Sequence, residues 1–450
     1  MLTWLSKNIF YPLWDVKDRS ILLNDLKELE KTQWESEEEL RIRQWGKFKN
    51  ILQYAYENCK YYKSVFDKHQ ITPAGINIPQ YLSKIPVLTK KQIQDNTDNL
   101  VSRLHHKEKL ISAKTGGSTG KSLKIYFDKQ CQEMRNAAAI RSDRWAGWDI
   151  GMKMAALWGN PPVADTLKKK IRKGLHDRVI YLDTMNINEK SMLDFIRYWY
   201  EYKPQIIFGH SHSIFIFAKF VQENKIKDIK PRGIISSSMM LLPKERATIE
   251  QVFSCKVTNR YGCEEVGLIA CECEKHDGMH LNTDHLYIEF IKEDGIPAKA
   301  GEEGAIVITD LINHGMPLIR YRIEDVGVPA DRKCSCGRGL PLMEKVAGRV
   351  ADFLVRKDGS LVAGVSLVER TLTAIKGIEQ MQIVQESTSE IVLNIVKMEG
   401  YSQKSENDLM NEFLSVFGNN VKIKLHYVER IPQEQSGKYR FSICKIKGVN

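Results

Sequence analysis

The chain of 450 residues lacks any apolar run long enough, at about 18 residues, to span a membrane, which excludes a transmembrane helix. Its opening stretch, MLTWLSKNIFYPLWDVKDRS, lacks the charged start, apolar centre and small-residue cleavage site of a signal peptide. It holds only nine cysteines, an odd number unevenly spaced. That excludes a disulfide framework and points to a reducing cytoplasm. Internal repeats and low-complexity tracts are missing as well. So is any clustered basic–aromatic stripe. The 67 Lys and Arg against 56 Asp and Glu leave a net charge of +11, but the cations are interleaved with acids, which argues against a specific nucleic-acid partner. The densest basic run, KKKIRKGLHDR from Lys168 to Arg178, suits phosphates or an anionic membrane face, with a solvated helix or loop face the plainer expectation. Trp4, Phe10, Tyr11 and Trp14 suit a peripheral membrane contact, with packing onto the domain the plainer expectation.

What is present is an ordinary globular balance, 42% hydrophobic and 27% charged, in a chain too long for one hydrophobic core. Residues from about 20 to 70 place apolar positions at helical spacing, and a helical N-terminal segment is expected to about residue 108. "PVLTKKQIQDN" predicts a Thr89 cap and a short helix. Helices expected over Gln130–Trp145, Glu189–Tyr202 and Ser213–Asn224 alternate with the apolar runs "MAALWG", "QIIFG" and "GIISSS", the pattern of α/β layering. From Lys256 the texture turns to strands separated by Gly, Asp and Asn. The fold class expected is therefore α/β. A large multi-layer α/β N-terminal domain with mixed sheets and a β-rich subdomain, residues 1–348, precedes a small mobile α+β C-terminal domain, residues 349–450.

A Walker loop is also missing. The rule is Gly, four residues, then Gly-Lys-Ser/Thr, and in "AKTGGSTGKS" (Ala113 to Ser122) the first Gly is replaced by Thr115. The following "SLKIYFD" alternates like a strand where a Walker loop leads into a helix. Thr115 to Lys121 is thus expected as a hairpin-like loop whose glycines and hydroxyls still suit a phosphate. Later come "NRYGCEEVG" (Asn259 to Gly267), "YRIEDVG" (Tyr321 to Gly327), "GRVAD" (Gly348 to Asp352) and "SGKYRF" (Ser436 to Phe441). In this order and at these separations they resemble the adenylate-forming superfamily of acyl-CoA synthetases, adenylation domains and luciferases. More narrowly the chain resembles the phenylacetate–CoA ligase-like branch that includes capsular polysaccharide biosynthesis proteins. The resemblance covers essentially the whole chain, including "ILQYAYENCKYYKSVF" and "LSKIPVLTKKQI".

The resemblance implies roles that make physical sense. Thr115, Gly117, Ser118, Thr119, Gly120 and Lys121 would grip the ATP phosphates through N–H groups, hydroxyls and one ammonium. Tyr261 and Gly262 would lie by the adenine, and Glu265 would hold Mg²⁺ against the phosphates, with Glu264 the rival carboxylate. Asp325 and Arg349 would contact the ribose. Lys438 would bridge the carboxylate and the α-phosphate in the transition state. Gly116, Ser122, Glu324 and Ala351 depart from the family pattern, the last at a position often serving as hinge.

A second constellation is independent of nucleotide chemistry. "CECEKHDGMH" carries Cys271, Cys273, His276 and His280, and "KCSCGRG" carries Cys334 and Cys336. Thiolates and imidazoles on two short knuckles suit tetrahedral Zn²⁺. The residues alone leave the histidine open. The family pattern selects Cys273, His280, Cys334 and Cys336, with His276 as the substitute, as a closed structural site. The remaining cysteines are expected to pack.

The function implied is ATP-dependent activation of a carboxylic acid as an acyl adenylate, with release of pyrophosphate. The acyl group would then pass to coenzyme A, a carrier thiol or a sugar acceptor, in surface polysaccharide biosynthesis. His210, Ser211, His212 and Ser236 to Ser238 hint at a polar acid. The competing reading is a catalytically reduced nucleotide-binding or assembly protein of the same fold.

Overall fold

Ser36 opens the helix Glu37–Asn58 with a reciprocal cap. Its hydroxyl accepts from the Glu39 N–H, and the Glu39 carboxylate accepts from the Ser36 N–H. The stretch read as helix from about 20 to 70 is three helices, Leu22–Thr32, Glu37–Asn58 and Lys60–Lys68. Phe48, Ile51, Leu52, Tyr62 and Phe66 form the inward side of the second and third, and share one buried core with Ile306 and Ile308 of the sheet below and with Leu318. Thr89 caps the short helix Lys90–Asp95 with Gln92 as its partner. The computed structural model describes residues 2–115, 123–159, 161–162, 166–167, 172–292, 294–347, 353–431 and 441–446.

The centre is one 11-stranded sheet with two halves of different character. The parallel half runs in the order β4 (Val179–Asp183), β3 (Met154–Trp158), β5 (Ile206–His210), β6 (Gly233–Ser237) and β7 (Val257–Cys263). Its central strands β3, β5 and β6 are short, mostly buried apolar runs, as expected where helices cover a parallel sheet. The helices Glu189–Tyr202, Ser211–Glu223 and Pro243–Phe253 supply that cover through Phe195, Phe217 and Phe253. The antiparallel half continues through β8 (Gly267–Glu272), β9 (Met279–Leu281), β13 (Leu342–Ala347), β12 (Tyr321–Pro329), β11 (Gly304–Asp310) and β10 (Leu286–Ile291). β7 belongs to both halves. Val257 to Asn259 pair parallel with β6, and Arg260 to Cys263 pair antiparallel with β8.

β1 (Ile111–Thr115) and β2 (Leu123–Phe127) pair antiparallel, with Thr115 opposite Leu123. The loop read as a phosphate grip therefore joins two strands, unlike a Walker loop. Beyond residue 353, β14 (Phe353–Val355) and β15 (Leu361–Ala363) form a small ribbon. A four-stranded sheet follows in the order β18 (Lys422–Tyr427), β17 (Glu390–Lys397), β16 (Ile378–Ser387), β19 (Ser442–Cys444). The helices Gly364–Ala374 and Gln403–Phe417 pack on it through Leu367, Leu372, Leu409 and Phe413. This core is nearly self-contained. Among the described residues, only Met185 and the half-buried Met239 join it from the larger part of the chain. Arg356 makes a polar bridge across the same contact, donating to the Met185 carbonyl at 2.6 Å and to Asn186 Oδ1 at 3.1 Å.

Candidate active site and metal centre

A cavity of about 360 Å³ opens at the carboxyl ends of β6 and β7, the edge at which open α/β sheets bind ligands. Ser238 and Met239 wall it from the turn after β6, Tyr261 and Gly262 from β7, Arg246 from the helix Pro243–Phe253, and Asp325 from β12. Tyr261 donates its hydroxyl to Asp325 Oδ2 at 2.8 Å, joining the two nucleotide motifs across 64 residues of chain. Gly262 has no room for a side chain, because a Cβ there would lie 2.6 Å from the Gly267 carbonyl oxygen. The tight β7–β8 turn thus requires the glycine of the Tyr-Gly pair.

Glu265 lies in that turn. Its carboxylate accepts a hydrogen bond from the Tyr321 hydroxyl at 3.2 Å, while the Glu264 side chain is exposed. The turn is anchored from beneath by Arg135, which donates to the Glu265 carbonyl at 2.7 Å and to Asp310 Oδ2 at 2.6 Å. Arg135 and Asp310 are both buried. Sequence reading missed Arg135, and also Arg246 and Glu272 on the cavity wall. Arg246 is held to Glu272 Oε1 at 2.6 Å and to the Val257 carbonyl at 2.7 Å. A signal existed for Arg135, an arginine beside the small residues of "MRNAAAIR", where the helix packs closely and a charge needs a buried partner.

Of the other predicted nucleotide residues, Thr115 ends β1, a strand that touches the C-terminal helix Gly364–Ala374. Gly117, Ser118, Thr119, Gly120, Lys121, Arg349 and Lys438 lie outside the described residues, as does Ala351. The structure therefore unites Tyr261, Gly262 and Asp325 at one cavity, with Glu265 in the turn that begins at its edge.

Three of the polar residues read as lining for an acid, Ser211, His212 and Ser236, are turned to other work. Ser211 and Ser236 hydrogen-bond each other at 2.6 Å, and Ser211 donates to the Met239 carbonyl at 2.8 Å. His212 pairs with Glu245. These contacts hold the turn after β6 in place, so three of the six side chains build the wall and do not line it. Ser238 does wall the cavity, and His210 is buried at the end of β5 with its ring 4.1 Å from that of Trp158. Burial pulls its pKa down to about 4, which keeps the imidazole neutral.

Cys273, His280, Cys334 and Cys336 converge, with their ligand atoms all within 4.8 Å of one another. The Cys273 and Cys334 sulfurs are 3.6 Å apart, and Cys336 Sγ lies 3.3 Å from His280 Nε2. A tetrahedron of thiolates at the usual Zn–S length of about 2.3 Å has edges of roughly 3.8 Å, so the set matches a zinc shell. His280 Nδ1 sits 3.0 Å from the Leu340 carbonyl, a hydrogen bond that places the proton on Nδ1 and turns Nε2 toward the cysteines. The Lys275 and Arg338 N–H groups point at Cys273 and Cys336 Sγ from 3.4 and 3.5 Å, the arrangement that stabilises thiolates. Burial pushes the Cys273 thiol up to about 12, so its deprotonation calls for a cation nearby. His276 faces Glu272 instead, and Cys271 is buried against the Glu272 carbonyl. Around the four, Leu40, Trp145, Leu268, Leu340 and Leu342 form an apolar jacket.

Residues 354–445 match the CapK C-terminal domain family. Protein CapK of Staphylococcus aureus is 25% identical over 412 residues, covering 89% of this chain and 88% of its own. Phenylacetate-coenzyme A ligases align over less, at 24% identity and 71% of this chain for that of Thermus thermophilus, which is covered over 72% of its length. A crystal structure of 2-hydroxyisobutyryl-CoA ligase in complex with 2-HIB-AMP and CoA superposes with a TM-score of 0.60 at 17% identity, covering 89% of each chain. This chain has the adenylate-forming ligase fold and is a relative of CapK and the phenylacetate-coenzyme A ligases. The resemblance expected from the motifs holds, and with it the class, an adenylate-forming ligase.

The likeness is uneven along the chain. The CapK alignment is the longer one, and the C-terminal unit built on β16 to β19 is the part that matches the CapK domain family. Among the described residues no helix is long and apolar enough to cross a membrane.

Proposed function

We propose that the chain activates a small carboxylic acid with ATP as an acyl adenylate, releasing pyrophosphate, and passes the acyl group to coenzyme A. The observation that carries this reading is the Tyr261–Asp325 pair across the cavity at the ends of β6 and β7. Asp325 would accept from the ribose hydroxyls and the Tyr261 ring would flank the adenine. Thr115 to Lys121, following β1, would hold the β- and γ-phosphates. An acid oxygen attacks the α-phosphorus, the bond to the bridging oxygen breaks, and the pyrophosphate carries that electron pair away. Lys438 would neutralise the charge that two anions bring together, and Arg349 would steady the ribose. Glu265 fits Mg²⁺, because it is a carboxylate held by the Tyr321 hydroxyl, and the metal would supply charge neutralisation on the phosphates. The acyl end would lie toward Trp158 and His210. His210 pairs in register with Ser237, next to Ser238 on the cavity wall.

We place a structural Zn²⁺ on Cys273, His280, Cys334 and Cys336. Its support is the convergence of four ligand atoms and the hydrogen bond that orients His280. We also place a domain boundary at 348/349, with residues 349–450 as a mobile unit bringing Lys438 to the cavity. The separate core around Leu393 and Phe413 supports it. A carrier thiol or a sugar as the acceptor, and a place in surface polysaccharide biosynthesis, rest on the family resemblance through CapK. A cytoplasmic setting suits nine cysteines that all stand as free thiols.

The test is ATP–pyrophosphate exchange across a library of small carboxylic acids, with Lys438→Ala as the control. Exchange with one class of acid, lost in the variant, is the expected result. ATP binding without exchange for any free acid would overturn activation of free acids and favour the catalytically reduced reading.

A further inference from the structure

The polar side chains near the turn after β6 divide into those with partners and those without. Ser211 and Ser236 satisfy each other, and His212 pairs with Glu245. His210, next to Ser211 in the chain, is only 3% exposed, and its Nδ1 is buried with no hydrogen-bond partner among the described residues. Native folds leave few buried polar groups unpaired, because each has given up water for nothing. The imidazole is neutral at physiological pH, so what it lacks is a hydrogen bond and not a counter-charge.

The surroundings of His210 are aromatic and continuous with the cavity. Alternate residues of a strand share a face, which puts Phe208 and His210 on the same side of β5. Trp158, at the end of β3, has its ring 5.3 Å from Phe208 and 4.1 Å from His210. Trp158 and Phe208 are only half-buried. Arg260, which lines the cavity, lies over the Phe208 ring at 5.4 Å. His210 is in register with Ser237, one residue before Ser238 on the cavity wall. The strip therefore extends the cavity along the carboxyl edge of the sheet, from β7 and β6 toward β5 and β3. On the far side of Trp158 stands a second orphan. Thr184 donates its N–H to the Trp158 carbonyl at 3.3 Å, and its buried hydroxyl has no partner among the described residues.

We propose that the acid activated here carries a hydroxyl on its carbon chain, and that His210 selects for it through a hydrogen bond at Nδ1. This rests on the adenylation reading above and names the substrate class for the same site. A neutral imidazole nitrogen is either a donor or an acceptor, according to the tautomer. A hydroxyl both donates and accepts, so it completes either form, and a methyl completes neither. The aromatic strip receives the rest of the carbon skeleton, the usual division of a small-molecule pocket into apolar walls and a few polar anchors. A site that holds a substrate hydroxyl in this way rejects the analogue lacking it, because the anchor is then left unpaired.

The experiment is pyrophosphate exchange with acids matched in shape, a hydroxyl in one member of each pair replacing a methyl in the other. Suitable pairs are lactate with isobutyrate, 3-hydroxybutyrate with 3-methylbutyrate, and mandelate with 2-phenylpropanoate. The wild type is expected to favour the hydroxy member of at least one pair by about tenfold or more in kcat/KM. His210→Phe should erase that preference by slowing the hydroxy acid selectively, with the KM for ATP unchanged. His210→Asn, which keeps a hydrogen-bonding group near the Nδ1 position, should retain part of it. A purely structural role for His210 would slow both members alike, and that result would overturn the proposal. So would a wild type that exchanges the methyl members equally well or better, an outcome that needs no variant and leaves adenylation standing. Absence of exchange with any free acid would overturn both.

Discussion

The Cys/His cluster and the cavity at the ends of β6 and β7 lie on neighbouring parts of one sheet and are built in opposite ways. The cluster takes four side chains from two short segments, Cys273 with His280 and Cys334 with Cys336, and seals them under Trp145, Leu340 and Leu342. The cavity takes its walls from four elements far apart in the chain and leaves them open to a ligand. A closed shell of four protein ligands would leave a metal no free position, so its work would be to hold the 273–280 segment and the 334–338 turn together. An open wall of Tyr261, Arg246 and Asp325 has the reverse design, in which positions are held by buried supports such as Arg135 and the groups face outward.

If that contrast is right, damage to one region should spare what the other does. Lys438→Ala carries the largest expected effect, a fall in pyrophosphate exchange of roughly two to three orders of magnitude with the melting temperature unchanged. Equal loss of thermal stability would erase the distinction. Next, Cys334→Ala should cost several kcal/mol, about 3 or more, in denaturant unfolding, with loss of the roughly one zinc per chain expected by metal analysis. Exchange per folded molecule should survive in that variant; zinc at less than about half per chain in the wild type would remove the cluster from metal chemistry.

A third expectation concerns pH. His285 is fully buried, its ring nitrogens finding no hydrogen-bond partner among the described residues, and burial pulls its pKa down to about 3. Its folded value lies below the unfolded value of about 6.5, so the unfolded chain takes up a proton that the native state refuses. Stability should therefore decline as pH falls from about 6.5 toward 3, by up to about 1.4 kcal/mol per pH unit for this group. His285→Leu should flatten that acid limb in urea titrations while leaving ATP affinity alone; an unchanged slope would show that other groups govern it. The smallest effect is expected for Tyr261→Phe, which removes the hydroxyl from Asp325. ATP binding by calorimetry should weaken by about 1 kcal/mol, five- to tenfold, with no shift in unfolding.

Much of this was readable in advance where chemistry follows residue type. The helix Glu189–Tyr202 is where its apolar spacing predicts it, and Thr89 caps its helix as its hydroxyl predicts. "TGGSTGKS" is read correctly as a link between strands because "SLKIYFD" alternates, and β2 pairs with β1. Other features escaped for equally physical reasons. Arg135 supports the Glu265 turn from a helix 130 residues away in sequence, a pairing no local pattern carries. The serines of "GHSHSIF" and "IISSSMML" look like pocket lining, yet Ser211 and Ser236 satisfy each other, because buried hydroxyls must find partners.

The sequence by itself determined the order of elements, the resemblance-bearing motifs and the cysteine-rich knuckles with two candidate histidines. Periodicity, turn residues and ligand chemistry belong to residues and short spacings. Only the tertiary structure decided that His280 faces the cysteines while His276 turns to Glu272, and that Arg246 and Glu272 wall the cavity. Each of those is a direction in space, set by which strand lies beside which and where a buried group finds its partner.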